Sequence, residues 1–96
     1  MNLSILSEEK ESQNIHYYCI ATDSHRYDFA IIFSGHFLGK AMVVSIQSER
    51  MVLICRNDIK NPEHWAQKLG IMPEDISDLK EFFHYILENQ IFADQY

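Results

Sequence analysis

Between Asn14 and Arg56 the chain alternates apolar and polar residues in four short runs, separated by turn-forming residues. A period of two is the side-chain period of a β-strand, because successive residues point to opposite sides of a sheet. The pattern predicts four consecutive antiparallel strands. Asn14 to Thr22 is rich in β-branched and aromatic residues, as strands prefer. Asp23-Ser24-His25 supplies turn chemistry, and Arg26 to Ser34 forms the second run. Gly35 and Gly39 frame the next connection, where positive φ would cost little. Lys40 to Gln47 and Arg50 to Arg56 then make a second hairpin about the two-residue loop Ser48-Glu49.

Loop lengths set the expected registers. A three-residue first loop places Ala21 opposite Tyr27, Cys19 opposite Phe29 and Tyr17 opposite Ile31. The second places Ile46 opposite Met51, Val44 opposite Leu53 and Met42 opposite Cys55. One face then collects Ile15, Tyr17, Cys19, Phe29, Ile31, Phe33, Met42, Val44, Ile46, Met51, Leu53 and Cys55, and is the expected core side. The other collects His16, Tyr18, Ile20, Arg26, Asp28, Ala30, Ile32, Val43, Ser45, Arg50, Val52, Ile54 and Arg56. A one-residue slip would exchange the faces of a strand.

Helical signals begin at Asn61, a candidate N-cap followed by Pro62 at the first helical position, with Gly70 as the stop. Pro73 opens a longer helix whose Glu74, Asp75 and Asp78 suit the positive end of its dipole. Ile76, Leu79, Phe82, Phe83, Ile86 and Leu87 recur at spacings of three and four, giving a wide apolar stripe. The stripe is expected to pack on the more apolar sheet face. Ile91, Phe92 and Tyr96 read as a tail. The expected fold class is α+β, a four-stranded antiparallel meander followed by a short and a long helix on one sheet face. Residues 1–13 read as a polar arm and 14–96 as one domain.

Ninety-six residues with a formal charge of −6 disfavour a nucleic-acid binder, whose affinity comes from Lys and Arg on phosphate. No stretch approaches the ~20 apolar residues of a membrane span. Residues 1–9 have neither a basic start nor a long apolar run, so no secretory leader is expected. Cys19 and Cys55 are too few for a disulfide scaffold, so the expected setting is cytoplasmic.

The run Arg26-Tyr27-Asp28-Phe29-Ala30-Ile31-Ile32, then Gly39-Lys40, Gln47 with Arg50, Asn57-Asp58 and Pro62, resembles a family of small cytosolic proteins of Gram-positive bacteria with no assigned function. The resemblance runs from about residue 14 to residue 88. Ser48-Glu49, Cys55 and Met72 depart from the family pattern at turns and caps. It implies an α+β domain and carries over no catalytic residue.

The candidate sites divide by chemistry. His16, His25, His36, His64 and His84 show no recognised metal spacing, although folding could gather His16, His25 or His36 with Asp23 or Asp28; no metal or cofactor is expected. Cys19 and Cys55, placed on the apolar face, read as inert hydrophobes rather than nucleophiles. Gly35-x-x-x-Gly39-Lys40 is one residue short of a phosphate loop and is followed by a strand, not a helix. No catalytic residue is assigned. The leading expectation is a non-enzymatic, self-associating interaction module, a homo-oligomer or the partner of another protein. Its interface would be centred on Tyr18, Ile20, Ile32, Val43, Val52 and Ile54. The alternative is a module that binds a small molecule or anion through Arg26, Asp28, His36, Lys40 and Arg56 near the strand ends. An enzyme with a site at a dimer boundary is the third.

Overall fold

A computed structural model describes the backbone of residues 2–93 and the side chains of residues 2–88. The expected tail side chains Ile91, Phe92 and Tyr96 lie outside the described ones. Four strands, β1 (Ile15–Ala21), β2 (Arg26–Phe33), β3 (Ala41–Ser45) and β4 (Arg50–Ile54), pair antiparallel in the order β1-β2-β3-β4. This is the expected α+β meander. A helix, α1 (Ile76–Ala93), follows a series of 3-10 turns. The segment expected as a short helix is a 3-10 turn at Pro62–His64 followed by further turns, and the Asn61 side chain makes no cap bond. Gly70, at φ +70°, ends it as expected.

Both hairpin registers differ from expectation, each for a local reason. In the first, the Thr22 hydroxyl accepts from the amides of Ser24 and His25, and the Thr22 amide donates to the His25 carbonyl. Thr22 to His25 thus closes as a four-residue turn of the kind hydroxyl side chains favour. Ala21 now faces Arg26 and Cys19 faces Asp28. That one-residue slip moves Tyr18 and Ile20 to the side of Phe29 and Ile31. In the second, the Glu49 amide reaches back to the Ser45 carbonyl at 3.0 Å, and Glu49 takes φ +60°. The turn is Ile46 to Glu49, and Val44 pairs with Met51 rather than Leu53. A two-residue offset preserves the hairpin's faces.

The link between the hairpins fixes which face is inside. Leu38 (φ +56°) and Gly39 (φ +81°) carry the left-handed positions of the connection, not Gly35. Ile31 pairs with Val43 and Ile32 with Met42. Val43, Val52 and Ile54 therefore share the face of Phe29 and Ile31, and are 1%, 5% and 0% exposed. The expected inside residues Ile15, Tyr17, Cys19, Met42, Val44, Ile46, Met51 and Leu53 point the other way. The expected interface residues Val43, Val52 and Ile54 are core, and Tyr18 and Ile20 pack against it; only Ile32 keeps its outward place.

The helix stripe is as expected: Leu79, Phe83, Ile86 and Leu87 are buried, with Ile76 and Phe82 packed alongside. Phe29 sits 5.8 Å from Phe83, and Trp65 meets Phe83 edge-on at 5.2 Å. Ile59, Trp65, Leu69 and Ile71, from the turns, complete the core. Phe83→Ala should lower stability by about 3–5 kcal/mol in urea unfolding. Val52→Asp should abolish the folded circular dichroism signal, while Met51→Asp, one residue away, should keep it. The opposite ranking of those two would reverse the sheet.

Candidate functional site

Three features could carry function: a polar node at one end of the sheet, a cationic cavity at the other, and the uncovered face between them.

The node joins the first turn to the start of α1. Asp75 is buried, and its Oδ2 accepts from the Tyr27 hydroxyl at 2.5 Å and pairs with His25 Nδ1 at 2.8 Å. The Tyr27 hydroxyl in turn accepts from the Met72 amide at 3.1 Å. The Tyr27 hydrogen bond, with those from Thr22 and His25, holds the Asp75 carboxyl below the usual carboxylate range despite burial. Burial, then the same carboxylate, pushes the Tyr27 hydroxyl up. His25, Glu74 and Asp75 offer potential ligand atoms within 4.8 Å of one another. This is not one of the groupings weighed from sequence, which joined His16, His25 or His36 with Asp23 or Asp28. The positive end of α1 opposes a cation there, and the Asp75 oxygen is already engaged by Tyr27 and His25. The node is best described as a structural clamp. Asp75 occupies a place on the apolar stripe four residues before Leu79, which was the sequence signal that it would be buried.

The cavity, of about 440 Å³, lies where β2 ends and β3 begins. Ser34, Gly39 and Lys40 form one rim, and Arg56, Asn57 and Lys60 another. Phe33, Ala41 and Cys55 contribute sheet-side walls, and His84 and Leu87 come from α1. Lys40 Nζ lies 3.0 Å from Asp58 Oδ2, which also accepts from the Cys55 amide. Burial raises the Asp58 carboxyl, but the Cys55 and Lys40 hydrogen bonds outweigh it and the net direction is down. The bond to Asp58 pushes Lys40 up. Arg56 approaches Glu88 only to 3.7 Å.

Of the five expected ligand residues, Lys40 and Arg56 line the cavity. Arg26 pairs with Asp28 at 3.3 Å on the outer face, at the other end of β2, and Gln47 also binds Asp28. His36 sits 3.0 Å from Glu9, and Ser34 donates to Glu11, so this corner holds the N-terminal arm. Lys60 and His84 are the cavity residues that sequence reasoning missed.

The outer face carries Ile15, Tyr17, Ile32, Met42, Val44, Ile46, Met51 and Leu53, with Tyr17 73% and Met51 59% exposed. Among the described residues, the arm does not cover it: Leu3, Ile5 and Leu6 are themselves exposed. Cys19 is exposed there rather than buried, and Cys55 is half-buried; both are free. A hydrogen bond with Asp28 is the main influence pushing the Cys19 thiol up, which disfavours the nucleophilic thiolate.

Residues 6–85 match the sequence model of the SAV0927-like family. The chain belongs to that family. The match spans the whole sheet and the first part of α1. A search of curated proteins found no match. No helix among the described residues is long and apolar enough to cross a membrane.

The pH dependence of stability tests the node. A folded Asp75 that is harder to protonate than its unfolded counterpart contributes stability in full above about pH 4. That contribution is lost as pH falls through the lower, folded value. Asp75→Asn should therefore flatten the acid limb of a melting-temperature profile, and Tyr27→Phe should flatten it in part, because it removes the main hydrogen bond that holds the folded value down. Profiles identical to wild type in both variants would remove the clamp.

Proposed function

We propose that this protein is a non-enzymatic interaction module of the cytoplasm that pairs with a second copy of itself through the outer face of its sheet. The observation that carries this is the run of eight apolar side chains on that face with no element of the described chain above it. Four strands of five or more residues present a patch of roughly 20 Å by 20 Å. That is the scale of the largest apolar patches of monomeric proteins, roughly 300–600 Å², which are often functional. Tyr17, Met42 and Met51 are of types enriched at interfaces. A second copy suits the patch because the one carboxylate among the described strand residues, Asp28, is already paired with Arg26. Two acidic chains can meet there without bringing unpaired like charges together. A two-fold pairing also uses the same patch twice and closes. Two free thiols fit a reducing cytoplasm.

Light scattering at about 100 μM should give the mass of a dimer, since interfaces of standard size bind well below that concentration. Val44→Asp or Met51→Lys should yield monomers with unchanged circular dichroism, because an unpaired charge at the centre of an interface is costly. A wild-type monomer at that concentration would end this proposal.

A second reading, binding of an anion, is favoured by the cavity. Three of the chain's eight lysines and arginines line it, and among the described residues no Asp or Glu does. Inorganic phosphate should raise the melting temperature by mass action, and less so in an Arg56→Ala/Lys60→Ala variant.

A further inference from the structure

We infer that the cavity takes an amphipathic organic anion, an oxyanion head group on an apolar body, in preference to a bare inorganic ion; this rests on the anion-binding reading above. Its volume, about 440 Å³, far exceeds what one small ion fills and falls within the roughly 300–1,000 Å³ typical of pockets for organic ligands. The wall is divided. Phe33, Ala41 and Leu87 give an apolar floor, and Ala41 and Leu87 are buried members of the protein core. A bare ion would leave that floor wet, whereas an apolar body on it removes surface from water, at ~25 cal/mol per Å².

The cations of the wall differ in commitment. Lys40 is fixed by Asp58, but an ammonium has three donors and this pair uses one. Its position is therefore set before a ligand arrives, which lowers the ordering cost of binding. Arg56 lies 3.7 Å from Glu88, with both side chains more than half exposed, so its planar fork is uncommitted. That fork is the geometry that matches a carboxylate or phosphate with two parallel hydrogen bonds. Among the described residues, Lys60 makes no ion pair within 4.0 Å. An oxyanion between Arg56 and Lys60 would neutralise charge that the protein itself leaves open, while its apolar body lies toward Leu87.

The test is an amide-resolved NMR titration of the full chain with four probes: phenyl phosphate, benzoate, inorganic phosphate and benzyl alcohol. Phenyl phosphate or benzoate should shift the amides of Gly39, Arg56 and Leu87 saturably, about tenfold more tightly than inorganic phosphate. The tighter of the two identifies the head group as phosphate ester or carboxylate. Benzyl alcohol should not saturate. Arg56→Ala/Lys60→Ala, two surface truncations, should weaken the organic anion about tenfold with an unchanged circular dichroism spectrum. Organic anions binding no tighter than inorganic phosphate would overturn this inference and leave the anion-binding reading standing. Saturation by benzyl alcohol at the affinity of phenyl phosphate would overturn it by removing the role of charge. Absence of saturable shifts with every anion would overturn both.

Discussion

Tyr27, Phe29 and Ile31, three alternate residues of one strand, form the row against which every other part of the core is placed. Tyr27 reaches along the sheet to the buried Asp75 and so sets where α1 begins. Phe29 lies 6.1 Å from Phe82 and 5.8 Å from Phe83, and so sets which face of α1 points inward. Ile31 pairs with Val43 and so brings the second hairpin into alignment. Burying each such side chain contributes about 1.5–3 kcal/mol, a large share of a small domain's net stability. The row lies on a central strand, so β1 and β3 flank it on both sides.

A single long helix has one apolar stripe and can cover one face of a sheet. Once α1 and the turns from Cys55 to Met72 lie on the Phe29 side, no helix of the described chain is left for the other. The asymmetry does not arise because the outer face is polar. Val44, Met51 and Leu53 are as apolar in type as Val43, Val52 and Ile54; they differ in what lies over them. Among the described residues, the open face thus follows from the number and placement of the elements. Its apolar side chains are the part that those limits do not explain.

This near-equality also explains what could be read from the sequence. The meander was legible because a period of two needs only local residues, and the helix stripe because Ile76 to Leu87 keeps spacings of three and four without interruption. The choice of inner face was not legible. For the second hairpin it depends on the connection in which Leu38 and Gly39 take positive φ, and for β1 on whether the first turn holds three residues or four, which the Thr22 hydroxyl decides by capturing two amides. Where both faces of a strand are apolar, hydrophobic pattern cannot correct a one-residue error in a turn. The cavity was half legible. Lys40 and Arg56 stand at adjacent strand ends, so pairing brings them together. Lys60 and His84 arrive through a 3-10 turn and a helix, whose placement follows from packing alone.

Charge distribution connects the two ends of the argument about function. The chain carries fourteen acidic residues against eight lysines and arginines. With three of those cations on the cavity wall, the remaining five are spread over a surface that is strongly acidic. Such a surface repels its own copy over about a Debye length, roughly 8 Å at physiological ionic strength. Two patches escape that field for different reasons. The outer sheet face does so because the one carboxylate among its described strand residues is internally paired, and the cavity because its wall is cationic. On the readings proposed above, the same excess of acid would direct a like copy and a small anion to different places on the same molecule.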